Sequence, residues 1–134
     1  MDKILEAKNI TKNYPGVIAL ADVNFNVYKG KVNVLVGENG AGKSTLMKIL
    51  SGVEKQTSGD IFLDNQKLEI NSTKDAESNS IGIIHQELNL FPNLTVHENI
   101  FMGHELINQY KTVNVNKQIQ ITNELMSKLN QDID

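Results

Sequence analysis

Cysteine is absent from all 134 residues. Disulfides, thiol nucleophiles and thiolate zinc sites are excluded with it, and the absence fits a reducing compartment. Aromatic residues make up only 5% of the chain, too few for a platform on which nucleic-acid bases stack. Charge of one sign is also scarce: the net charge is −3, so no basic field draws the chain to nucleic acid. Long hydrophobic runs are missing as well. Stretches such as Ile81 to Ile84 fall far below the ~20 apolar residues that cross a bilayer. Met1-Asp2-Lys3-Ile4-Leu5-Glu6 is broken by charge before a signal segment can form. At a membrane, such a chain would need a partner to hold it there.

What remains is the composition of an ordinary folded domain, or a large piece of one, with 40% hydrophobic and 22% charged residues. No repeat, low-complexity tract or Pro-rich linker divides it. Ile4 to Ile10 reads as a strand that breaks at Tyr14-Pro15-Gly16. Val23 to Tyr28 alternates loosely and stops at Lys29-Gly30, as a half-buried strand does. Val32 to Val36 is β-branched and more continuously apolar, which predicts a buried central strand. Ser44 to Leu50 reads as a helix with Leu46, Ile49 and Leu50 on one face and Gly52 placed to end it. Ser58-Gly59 reads as a turn. Ile61-Phe62-Leu63 and Leu68-Glu69-Ile70 flank Asp64-Asn65, the pattern of a short hairpin. Ser72 to Ser80 suits a short helix, Ile81 to Ile84 a second buried strand, and Thr95 to Phe101 another helix. From about Asn116, Ile121, Leu125 and Leu129 recur every four residues, marking an amphipathic helix. Lys117 and Lys128 fall on its solvated side, and Asp132 and Asp134 on a solvated chain end.

The stretch that carries chemistry is Gly37-Glu38-Asn39-Gly40-Ala41-Gly42-Lys43-Ser44-Thr45. It fits the phosphate-loop pattern of Gly, four residues, then Gly-Lys-Ser/Thr. Four fixed positions match by chance in roughly one chain of this length in a few hundred. The pattern also sits between an expected strand and an expected helix, which the mechanism requires. Glycines at 37, 40 and 42 give the backbone dihedrals that a side chain would forbid. They turn amide N–H groups inward as an anion nest. The helix starting near Ser44 adds its unpaired N–H groups and positive dipole end. Lys43 is placed to reach β- and γ-phosphates, the Ser44 hydroxyl to ligate Mg²⁺, and Thr45 to add a phosphate contact. The ligand read from this loop is a nucleoside triphosphate with Mg²⁺, ATP above all; the alternative is a glycine-rich turn with a solvated lysine.

Val36 to Leu46 resembles the Walker A segment of ABC-transporter ATPases. The resemblance continues through Tyr14-Pro15-Gly16-Val17-Ile18-Ala19-Leu20, which looks like the family's A-loop region. Ile81 to Leu90, with its His-Gln-Glu-Leu-Asn-Leu wording, resembles the Q-loop of the ATPases that power monosaccharide import. Glu98 to Gly103 extends the match over nearly the whole chain. The resemblance implies an α/β P-loop core with an antiparallel β subdomain. It implies that residues 1–134 form the N-terminal portion of one nucleotide-binding domain, incomplete before the family's signature motif, Walker B strand and switch histidine. It also implies roles. Tyr14 would stack on adenine. Gln86 would approach Mg²⁺ and the attacking water, joining Lys43 in catalysis and Ser44 in holding the metal. The partners implied are transmembrane permease subunits, a periplasmic or extracellular sugar-binding protein behind them, and a second nucleotide-binding domain. The place implied is the cytoplasmic side of the cell membrane, and the sugar implied is ribose or a related monosaccharide.

Rival readings meet specific obstacles. A GTPase needs Asn-Lys-x-Asp, but Asn116-Lys117-Gln118-Ile119 ends in Ile. A small-molecule kinase shares the loop but not Tyr14 or the context of Gln86. A binding or interaction module without turnover stays open. His97-Glu98 begins like a zinc-protease motif, yet Phe101 stands where the second His belongs. His104-Glu105 fails in the same way, and with His85 these histidines form no metal set.

Overall fold

The computed structural model describes residues 2–87 and 90–130. Leu88 and Asn89 of the Gln86 segment, and Asp132 and Asp134 of the expected chain end, lie outside the described residues. The chain divides into two compact units, Met1–Ile84 and His85–Asp134.

The first unit holds the sheet. Strand β1 (Lys3–Tyr14) turns at Pro15-Gly16 into β2 (Val17–Tyr28), with Gly16 at φ 79, the left-handed dihedral such a turn demands. Strand β3 (Ser58–Leu63) lies on the other side of β1, and β4 (Gln66–Leu68) closes the order β2-β1-β3-β4, every pair antiparallel. The β3–β4 turn is Asp64-Asn65, at φ 47 and 63, the double left-handed geometry that Asx residues tolerate. Leu5 and Ala7 alternate into the core. A shift in pairing near Asn9, at φ 51, then brings Ile10 inward as well.

Helix α1 (Lys43–Leu50) covers that face with Leu46, Ile49 and Leu50. Ser51 caps it and Gly52 follows at φ 75, the glycine stop read from the sequence. Helix α2 (Thr73–Ser78) starts where the Ser72 hydroxyl accepts from the Asp75 N–H at 3.2 Å. Ala76 seals its buried side, and Ile61 and Ile70 complete the core.

Several expectations are corrected here. Ser58-Gly59 is no turn: it opens β3, where Thr57 N–H donates to Thr11 O at 2.8 Å. Gly59, at φ 97, lies so close to β1 that an added Cβ would sit 2.4 Å from Asn9 O. Val32 to Val36 forms no strand, and Val32 is 93% exposed. Ile81 to Ile84 forms none either, and Ile84 is 98% exposed. A buried strand needs hydrogen-bonding neighbours on both edges. Among the described residues, the only multi-strand sheet is the antiparallel one, and it pairs with neither segment. The two buried strands expected at 32–36 and 81–84 are therefore not formed by these residues. An apolar cavity of about 850 Å³, lined by Leu5, Val27, Met47, Leu50, Ile81 and Ile83 among others, lies in this unit instead.

In the second unit, α3 (Val96–Ile100) packs on α4 (Val115–Lys128). The α4 face turned inward carries Gln118 and Thr122, both buried, while Leu125 is 39% and Leu129 64% exposed. The four-residue apolar stripe therefore names a face that wants cover, not the face that α3 covers. Helix α3 begins in a capping box: the Glu98 carboxylate accepts from the Thr95 N–H at 2.8 Å and from the Thr95 hydroxyl at 2.7 Å. The Thr95 side chain, then its backbone, hold the Glu98 carboxyl below its ordinary range. A depressed carboxyl pKa stabilises the folded form above the unfolded value and loses that contribution as pH falls through the folded one. The Thr95 amide proton resonance should accordingly titrate in acid with a midpoint below that of a free glutamate. Thr95→Ala should move the Glu98 midpoint back up. A side-chain carboxyl titration by NMR reads both.

None of the described helices is long and apolar enough to cross a membrane.

Candidate phosphate-binding site

The loop is placed by the strands before it. The Asn33 side chain meets both backbone groups of Tyr28 at the end of β2, accepting from its N–H at 3.2 Å and donating to its carbonyl at 3.3 Å. Leu35 packs against the core beside it. The chain then turns: Ala41 N–H donates to Glu38 O at 3.2 Å, with Gly40 at φ 85. Gly42, at φ 80, is the N-cap of α1, and Leu46 N–H donates to its carbonyl at 2.9 Å.

Glycine at 42 is required twice over. Its dihedral is left-handed, and an added Cβ would lie 2.5 Å from Leu20 Cδ2 and 2.6 Å from Ala19 O. The start of α1 is thus pressed onto β2 with no room for a side chain. Gly37 differs from expectation. Its φ is not in the left-handed region, and an added Cβ would meet Ala41 Cβ at an ordinary 3.4 Å.

The electrostatics favour an anion. Helix α1 has no side-chain cap and no acidic residue in its first turn, so its first N–H groups and its dipole face outward without a competing carboxylate. Lys43 folds back over the loop, its Nζ donating to Gly37 O and to Glu38 O, each at 2.7 Å. The ammonium is thereby held above the backbone of the turn. Ser44 is exposed and Thr45 half-buried one step into the helix; Glu38, Asn39, Gly40 and Ala41 are exposed around the rim. Residues 37–45 place the start of α1 and the Lys43 ammonium side by side, an arrangement that suits an anion such as phosphate.

Tyr14 ends β1 in the same unit and is 37% exposed. Gln86 is exposed and belongs to the second unit. Among the described residues, no group of three or more His, Cys, Asp or Glu could hold a metal. The Ser44 hydroxyl is a donor of the kind that serves Mg²⁺ when phosphate oxygens supply further ligands. Sequence reasoning passed over Ala19, Leu20 and Asn33, which hold the loop in place. Ala19 and Leu20 are singled out only by packing against Gly42, and Asn33 by its hydrogen bonds to the Tyr28 backbone; no motif spacing signals either.

Residues 20–133 match the family described as ABC transporter. The chain is 43% identical over 133 residues to the ribose import ATP-binding protein of Caldanaerobacter subterraneus subsp. tengcongensis, covering 99% of this chain and 27% of that protein. It is 46% identical over 131 residues to a protein of Rhizobium etli named for ribose/galactose/methyl galactoside import and ATP binding, covering 98% of this chain and 26% of that one. The chain therefore spans about a quarter of the length of these curated relatives. Among solved structures, a nucleotide-free ATP-binding cassette from an ABC transporter is similar with a TM-score of 0.70 and 28% identity, over 89% of this chain and 46% of that one. The cbiO1 part of an ABC transporter complex from Clostridium perfringens is similar with a TM-score of 0.70 and 28% identity, over 98% of this chain and 52% of that one. The α/β content, the antiparallel sheet and the folded phosphate loop agree with these matches, and the chain belongs to the ABC transporter family.

Proposed function

We propose that this chain is the ATP-binding segment of an importer ATPase for a monosaccharide, ribose or a close relative, in which binding and hydrolysis of Mg-ATP drive transport. The observation that carries the reading is the 37–45 loop, which turns into α1 with the Lys43 ammonium held over it, in a chain close in sequence to sugar-import ATP-binding proteins. In this reading the amides from Gly37 to Thr45 cradle the phosphates. Lys43 exchanges its carbonyl partners for β- and γ-phosphate oxygens. The Ser44 hydroxyl is one ligand of Mg²⁺, which neutralises phosphate charge when bound. Tyr14 stacks on the adenine, worth roughly 1–3 kcal/mol. Gln86 approaches the metal and the attacking water. Permease subunits hold the protein at the cytoplasmic face of the membrane, a second nucleotide-binding domain faces the loop, and an external sugar-binding protein delivers the sugar. The chain itself does not read the sugar.

Phosphoryl transfer to water needs a residue that orients the water as well as a cradle. The family's Walker B carboxylates and signature motif do not occur in these 134 residues. The chain alone is therefore expected to bind Mg-ATP in preference to Mg-GTP and to release phosphate at background rate. Calorimetric titration with both nucleotides and a phosphate-release assay test this. Preference for GTP would favour a GTPase. Turnover abolished by Lys43→Ala would show that the catalytic set is already present.

A further inference from the structure

Lysine side chains usually keep their ammonium in water. Lys12 does not: its side chain is only 13% exposed. Its Nζ donates to Lys55 O at 2.7 Å and pairs with Glu54 Oε2 at 3.0 Å. It also lies 4.9 Å from the centroid of the Tyr14 ring. The ammonium thus occupies a three-sided seat made of a carbonyl, a carboxylate and an aromatic face. Two sides of that seat come from the turn after α1, where Val53 and Glu54 N–H groups both donate back to Lys48 O, at 2.9 and 3.1 Å. The neighbouring rung is also tied, since Asn13 N–H donates to Thr57 Oγ1 at 3.0 Å. Lys12 therefore fastens the end of β1, and the Tyr14 ring with it, to the far end of the helix that begins at Lys43.

We infer that Lys12 is a positioning residue for the nucleotide base: clamped by Glu54 and the Lys55 carbonyl, it covers one face of Tyr14 and presents the other to an adenine ring. This rests on the reading of Tyr14 as the stacking residue. A cation over one face restrains the ring before the base arrives, so less order has to be imposed on binding. The ring stays exposed enough for a planar group to reach it. Lys12 touches no phosphate in this arrangement, so its influence is confined to ligands that carry a base.

The test compares Mg-ATP with Mg-tripolyphosphate, which has the charges but no base, by calorimetric titration of the 134-residue chain. Lys12→Met keeps the stem and removes the charge. It should weaken ATP about 3- to 10-fold and leave tripolyphosphate unchanged. Lys12→Arg should restore most of the loss. In a Tyr14→Ala background, Lys12→Met should have no further effect. Equal loss of ATP and tripolyphosphate, or no loss of either, overturns the inference while the adenine reading stands. If the unsubstituted chain binds ATP no better than tripolyphosphate, or Tyr14→Ala is silent, the adenine reading itself falls. If Lys12→Met fails to fold, Glu54→Gln at the partly exposed end of the clamp replaces it. The same ATP-selective loss then supports the inference, and its absence overturns it.

Discussion

Gly42→Val is expected to destabilise the first unit by about 3–5 kcal/mol, the largest effect of any single change in the loop. Two costs add. A β-branched residue at φ 80 is strained, by roughly 1–3 kcal/mol. Its Cβ would also fall 2.5 Å from Leu20 and 2.6 Å from the Ala19 carbonyl. The carbonyl is backbone near the start of β2, so it cannot swing aside as a side-chain tip does. A domain with a stability of about 5–15 kcal/mol loses a large share of it. Urea unfolding followed by circular dichroism measures the shift. The neighbouring glycines give a ranking. Gly40 needs only its dihedral, φ 85, and has open space around it, so Gly40→Ala should cost about 1–2 kcal/mol. Gly37→Ala meets ordinary contacts and should cost under about 1 kcal/mol. A reversed order would show that α1 does not sit on β2 as described.

Lys43→Ala is expected to weaken Mg-ATP binding by about 10- to 100-fold while changing stability little. The gain in binding comes from charge-assisted hydrogen bonds to phosphate, worth about 1.5–3 kcal/mol. The stability it forgoes is small, because both carbonyls that its Nζ meets, Gly37 O and Glu38 O, are in an exposed turn and water can replace the ammonium. Lys43→Arg should not restore affinity. A guanidinium is larger and planar where the ammonium is a compact point charge, so it does not take the same place against the phosphates. Binding titrations of the three forms, with unfolding curves beside them, separate the two effects. Equal loss of stability and affinity in Lys43→Ala would mean that the lysine holds the loop rather than the ligand.

What could be read from the residues follows a physical division. Local geometry was legible because the information is local. Tyr14-Pro15-Gly16 and Asp64-Asn65 make turns through their own dihedrals, and the Leu46, Ile49 and Leu50 spacing buries one face of α1. The turn into α1 was legible for the same reason, since Gly40, Gly42 and the helix start are neighbours along the chain. Burial was not legible where it depends on a neighbour. Val32 to Val36 is as apolar as a central strand, yet apolarity cannot supply the hydrogen-bonding edges that a strand needs, and among the described residues none flanks it. Ser58-Gly59 looked like a turn because glycine is open to two uses. Here the use is close approach to Asn9. The face of α4 was misjudged because Gln118 and Thr122, both buried, are polar and leave no mark in a hydrophobic periodicity. Lys12 escaped notice for the same reason: its role lies in a contact with Glu54, more than forty residues along the chain.

Among the described residues, every buried apolar side chain lies from Leu5 to Ala76. That placement has a consequence for synthesis. Chains emerge from the ribosome N-terminal end first, and units fold as they appear. The hairpin of β1 and β2, the helix α1 and β3 bury Leu5, Ala7, Ile10, Leu46, Ile49 and Ile61 against one another. A nascent chain that has released residues up to Ile84 therefore already holds these buried residues and the whole of the 37–45 loop. If the loop binds ATP as proposed, the growing protein would be able to do so before the second unit has been translated, and bound ATP would hold that first unit folded while the remainder is being made.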